Sequence, residues 1–335
     1  MNHRSGFVVF VSALTFAIGA TVGPGPLGMT AAAAPTGISF EQIDQIVFNA
    51  PSSLRGEFAK DAAALAQGAG GDRFPAPATN PGAGLREDPF GSLRALQTGV
   101  LRRFSFLNGM SRVDDLGSHK ATIGKPNIPQ VIYLDLDKQT YRTIEGDAAK
   151  ALLAPPDLAT ILRSVPSANS GPMGTETIEI KMATTPNASR TFEGVTAAGF
   201  STETTVEGTN VTGQCPPIHT TMQTTTYVDA AREEPLARVL SANDAAMLTK
   251  GIPAAGCTMS VSAPQAHDSR TAGFVFYRLT EGETALPVIN VTIKTRALME
   301  RGNVKPLTPA DAGLFAIPPG FTPAPPVTEA TPITS

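Results

Sequence analysis

Residues 98–115, TGVLRRFSFL-NG-MSRVDD, decide the fold. Asn108-Gly109 separates two short runs, and Asn-Gly is the strongest two-residue hairpin signal because both turn positions need positive φ. The stretch reads as antiparallel strands over 98–107 and 110–115. A second hairpin follows at 130–144, QVIYLDLD-KQ-TYRTI. In its first arm Ile132, Leu134 and Leu136 share one face, and Tyr133, Asp135 and Asp137 the other, because side chains alternate along a strand.

Towards the C-terminus the strand pattern persists. TETIEIKMATT (175–185) places Ile178, Ile180 and Met182 on one face, and Pro186-Asn187 reads as the turn that sends the chain back. Thr-rich stretches at 201–206 and 220–228 precede three further strands at 258–263, 273–279 and 287–295. In PLTPADAGLFAIPPGF, Thr308 is an N-cap, Pro309 takes the first helical position and Asp311 lies in the first turn, which signals one short helix. Residues 322–335 are Pro/Thr-rich and read as a disordered tail.

Helical spacing is expected elsewhere. Ser39 with Gln42 forms a capping-box pattern, and Phe40, Ile43, Ile46, Val47 and Ala50 recur at helical intervals up to Pro51. A second helix starts at Ser52 or Ser53 and places Leu54, Phe58, Ala62 and Leu65 on one face. The acids Glu41, Asp44, Glu57 and Asp61 read as the solvated side of this unit. Weaker helices are read over 147–164, broken by Pro155-Pro156, and from Glu233 to Lys250. The organisation is a leader over 1–33, a helical segment over 34–66, a Gly/Pro-rich linker over 67–96, a sheet domain over 97–321 and the tail. The fold class is α+β, mainly antiparallel β.

The leader carries a positive start, an apolar run from Phe7 to Val22 and a run of small residues before Pro35, the pattern of a secretory signal peptide. Cleavage after Ala33 leaves 25 basic against 29 acidic residues in the mature chain. The run is too short for the roughly 20 residues of a spanning helix. The expectation is a soluble exported protein, placed in the periplasm of a Gram-negative bacterium by its Ala-, Gly- and Pro-rich usage, with an extracellular location as the alternative. A net charge of -3 gives no basic field for nucleic acid. Trp is absent and aromatics make up 6%, which weighs against a sugar-stacking surface.

The order FLNGMSRVDD, VIYLDLDKQTYRTI, YVDA..EEP and LFAIPPGF resembles exported bacterial proteins of the lipoprotein-carrier superfamily (LolA/LolB-like half-barrels), including families of unknown function. The resemblance spans about 97–321. It implies a curved half-barrel sheet with helices packed on the concave face. A concave apolar lining of Ile132, Leu134, Leu136, Ile178, Ile180 and Met182 would then hold a hydrophobic ligand, either a lipid or the lipid moiety of a lipoprotein. The alternative is a structural or accessory cell-envelope protein with a filled core, acting through protein contacts.

Chemical motifs are sparse. In an oxidising compartment Cys215 and Cys257, the chain's two cysteines, read as one disulfide. A metal site made with His219 and His267 lacks the tight ligand spacing of structural zinc sites. Asp135 with Asp137, and Asp114 with Asp115, could pair as carboxylates, yet Asp before a hairpin turn is ordinary turn chemistry. His119 and His267 have no evident partner in sequence. No phosphate loop, nucleophile elbow or zinc-protease motif occurs, so no catalytic residue, cofactor or metal is assigned.

Overall fold

The computed structural model describes residues 37–48, 99–153, 174–213, 215, 219–236, 252–254, 257–262, 272–286 and 291–325. The leader, the second N-terminal helix, the linker and the tail beyond 325 lie outside these residues, as does 237–250 of the helix expected from Glu233 to Lys250, whose described start, 233–236, is not helical. His267 also lies outside the described residues.

One open, curved, mostly antiparallel sheet of 14 strands organises the described chain. Across the sheet the order is β10-β11-β7-β8-β9-β12-β13-β1-β2-β3-β4-β5-β6-β14. The strands are β1 (Gly37–Phe48), β2 (Val100–Leu107), β3 (Met110–Asp115), β4 (Lys120–Lys125), β5 (Gln130–Asp135), β6 (Thr140–Glu145) and β7 (Gly174–Phe192). They continue as β8 (Val195–Thr209), β9 (His219–Asp229), β10 (Ile252–Ala254), β11 (Cys257–Val261), β12 (Phe274–Leu286), β13 (Val291–Leu307) and β14 (Thr322–Pro323). One α-helix, α1 (Gly146–Leu153), and one 3-10 helix (Pro309–Phe315) complete the described elements.

The first hairpin forms where the turn chemistry placed it, whereas the second has a longer turn than Lys138-Gln139, because β5 ends at Asp135 and Leu136 and Asp137 fall in the turn. Asn108 and Gly109 both take positive φ, 51° and 75°, and Leu107 pairs with Met110 across the turn. The second hairpin closes through residues 136–139, with Gln139 at φ 51°. The Pro186-Asn187 turn is a correction. β7 runs on to Phe192 and reverses at Glu193-Gly194, both at positive φ. β11 pairs only with Gly174–Ile178. Pro186 therefore faces an edge with no described strand, where its missing N–H breaks no ladder, and a bulge follows at Asn187/Arg190.

The N-terminal helix is a second correction: residues 37–48 form β1, between β13 and β2 in the middle of the sheet. Glu41 is buried rather than solvated, at 7% exposure. Its carboxylate accepts from Arg103 of β2 and Asn303 of β13. Gln42 accepts from Arg301, and Ser39 bonds Ser105. A polar residue buried in a central strand needs such partners. Here they lie on other strands, so local spacing reads the same polar positions as a solvated helix side.

The two helices sit on opposite faces. Directly paired residues share a face, which puts Leu107, Ile123, Ile132 and Leu134 together on one side. These pack with Leu307, Phe315, Ile317 and Phe321. Residues 308–321 thus form a strap from β13 to β14, crossing about 34 Å at the usual inter-strand spacing. Its 3-10 helix is fixed by reciprocal bonds between Thr308 and Asp311. α1 covers the other face beside β5 and β6, where Leu153 packs so closely that a Cβ on Gly124 would lie 2.7 Å from it. The described helices are therefore not gathered on one side of the sheet. Thr322–Pro323, read as the start of a disordered tail, pairs in parallel with β6.

A bulge in β13 opposite Ser39/Glu41 takes the N–H groups of Asn303 and Val304 out of the regular ladder. The Glu193 carboxylate at the β7/β8 tip accepts both. Aromatic contacts continue this junction, stacked between Phe192 and Phe276, edge-to-face from Phe276 to Phe274 and on to Phe40, and stacked again between Phe40 and Phe104.

Candidate functional site

The face opposite the strap carries three side-chain rows across β2–β6. The outermost is Arg102–Asp115–Lys120–Asp135–Thr140, the next Phe104–Val113–Thr122–Tyr133–Arg142, and the third Phe106–Ser111–Gly124–Val131–Ile144. α1 covers part of the third row at Gly124. Above the first two lies a cleft of about 600 Å³, walled mainly by apolar atoms and closed at one side by Ala324 and Pro325. Its size falls in the range of small-molecule sites.

The outer row alternates in sign. Asp135 accepts the Lys138 N–H at 3.0 Å and its ammonium at 3.4 Å. Burial raises the Asp135 carboxyl, but those bonds and the nearby Lys120 charge outweigh it, and its pKa lies below the ordinary value. Asp115 accepts the Ser118 N–H, and Arg142 donates to the Pro325 carbonyl. Burial pushes the Tyr133 phenol up, so it stays a neutral hydroxyl at the cleft floor.

The Asp114/Asp115 pair is not formed. Asp114 and Asp115 point to opposite faces, and Asp114 is held by Arg112 through several bonds of 2.6–3.0 Å. Asp137 meets the His119 ring at 2.8 Å, supplying a partner that the sequence did not reveal. Among the described residues no three His, Cys, Asp or Glu side chains gather to hold a metal, and no helix is long and apolar enough to cross a membrane.

The six lining residues fall into two separate groups. Ile132 and Leu134 are buried beneath the strap, with Leu136 packed against them. Ile178, Ile180 and Met182 lie on the cleft face of the sheet, but in β7, nine strand positions from β5. Ile178 and Ile180 are buried and Met182 is partly exposed. They do not share one surface. Of the six, Leu134 alone also borders the cleft, which otherwise uses residues such as Tyr133 and Asp135, on the face sequence alternation marked as polar. The run of four apolar residues at 131–134 carried the signal, because a strand covered on both faces loses clean alternation.

Cys215 is buried, with Sγ 2.9 Å from where a Cβ on Gly174 would stand. Gly174 in turn pairs with Cys257 across β7 and β11. No cysteine is free among the described residues. Compared with protein families, curated proteins and solved structures, the chain matches none of them.

Proposed function

We propose that this is a soluble exported, non-enzymatic protein that binds a small hydrophobic ligand in the Tyr133 cleft. The cleft itself carries the reading: about 600 Å³ of open space with walls that expose mainly apolar atoms, while the space beneath the strap is filled by Phe315 and its neighbours. Burying apolar ligand surface supplies affinity, and the rim charges supply orientation. A neutral fluorescent naphthylamine probe tests it. The expected result is saturable binding that Thr122→Trp, which fills the floor, weakens at least tenfold while circular dichroism is unchanged. Equal binding by both forms overturns it.

The filled strap core supports the alternative, an envelope accessory protein acting through protein contacts. The same exported setting includes a Cys215–Cys257 disulfide, supported by the position of both residues beside Gly174. Peptide mapping without reductant should recover the two cysteines in one linked peptide pair, and free thiols on both would refute the bond.

A further inference from the structure

We propose that the chain's own residues 326–335 dock in the Tyr133 cleft as a tethered, displaceable occupant, an inference that rests on the cleft being the binding site. The chain is already led there. β14 runs parallel to β6, with the Thr322 N–H on the Gln139 carbonyl at 2.9 Å and the Ala324 N–H on the Tyr141 carbonyl at 2.8 Å. Arg142 then donates to the Pro325 carbonyl at 3.3 Å, so the last described residues form the cleft wall. The next residues, PVTEATPITS, follow directly from that wall.

Reach and charge both fit. Glu329 is four residues past Pro325 and extends up to about 14 Å from it. From β14, which leads into Pro325, to Lys120 in β4 is three strand spacings, about 14 Å, which the extended segment and the two long side chains together span. The cleft is lined by Arg102, Lys120, Lys138 and Arg142 against Asp115 and Asp135. Residues 326–335 contain one acid, Glu329, and no base. Val327 and Ile333 offer apolar side chains to the Val113–Tyr133 row, and Pro326 and Pro332 limit the entropy lost on ordering.

Zero-length carbodiimide crosslinking of the full chain tests the docking. Glu329 joined to Lys120 or Lys138 is the expected product, and crosslinks only elsewhere, or none, overturn the proposal. A chain ending at Pro325 tests displacement. A short tether supplies millimolar effective concentration, so removing a weak occupant should tighten binding of the neutral naphthylamine probe about fivefold. Unchanged affinity overturns displaceable occupancy. If neither chain binds the probe, the ligand reading fails, and the crosslink still decides whether the tail docks.

Discussion

The two halves of the sheet are built on different principles. The half from β2 to β6 has strands of six to eight residues joined by tight turns, and each face has a cover, the strap on one and α1 on the other. The half from β7 to β9 with β12 and β13 has strands of 11 to 19 residues, rich in Thr. On its strap-side face exposed ion pairs cross the strands, among them Lys181–Glu207, Lys294–Glu283 and Arg296–Glu281. Such pairs contribute little stability in water. Stability in the short half therefore rests on a few apolar anchors, whereas the long half spreads it along the ladder.

The largest expected effect breaks the short half. Phe315 is 1% exposed and fixes the strap over Leu107, Ile123, Ile132 and Leu134. Phe315→Ala removes the ring and leaves a cavity, at a cost of about 3–5 kcal/mol. Urea unfolding should show a lower midpoint, with Leu307 to Phe321 losing hydrogen-exchange protection first. A shift below 1 kcal/mol would mean that the strap is not an anchor.

The matching test for the long half is the proposed disulfide. Closing the 42-residue interval between Cys215 and Cys257 is worth roughly 3–4 kcal/mol in the loop-entropy model. Cys215→Ser should lower the urea midpoint accordingly, and reducing agent should lower the parent protein's midpoint equally while leaving the variant's unchanged.

The halves meet at β1, where buried polar and charged groups stand beside the hydrophobic packing of Phe40, Ile43 and Val47. Gln42 donates to both Asp44 carboxylate oxygens at 2.9 Å and accepts from Arg301, whose guanidinium lies over Phe40 and Phe274. Glu234 pairs with Arg301. Burial pushes the Asp44 carboxyl up, against the Gln42 bond and the Arg102 and Arg301 charges. Folded Asp44 therefore holds its proton more tightly than the unfolded chain does. Its contribution to stability is full below the ordinary Asp value and is lost as pH rises through the raised one. The slope is at most about 1.4 kcal/mol per pH unit for one group. Asp44→Asn should remove that slope, gaining on the parent protein in urea midpoint from pH 4 to pH 8. Parallel pH profiles would assign the seam no titration.

What the sequence made legible follows from how local each cause is. The Asn108-Gly109 hairpin and the Thr308/Asp311 cap are local, and both are present. Alternation along 131–136 correctly separated Ile132 and Leu134 from Tyr133. β1 was read as a helix because its deciding partners, Arg103 and Arg301, are far away in sequence. The cleft was missed for the same reason: its floor comes from strands paired by register, and one wall comes from Ala324 and Pro325, brought back by a strap whose path no local pattern encodes.

The smallest expected effect sharpens the comparison from the other side. On the cleft-side face of the long half, Thr184, Thr202, Thr224 and Thr280 form one cross-strand row, with hydroxyl contacts of 3.0 Å for the first pair and 3.1 Å for the last. Each hydroxyl bond is worth little net, because water competes for the same groups. Thr202→Val keeps the β-branched shape that suits a strand and loses one bond to Thr184. Thr184 is only partly buried and can turn its hydroxyl to water. The urea midpoint should therefore move by about 0.5 kcal/mol or less. A loss near that of Phe315→Ala would show that the long half depends on single anchors too, and that the contrast between ladder and anchor fails.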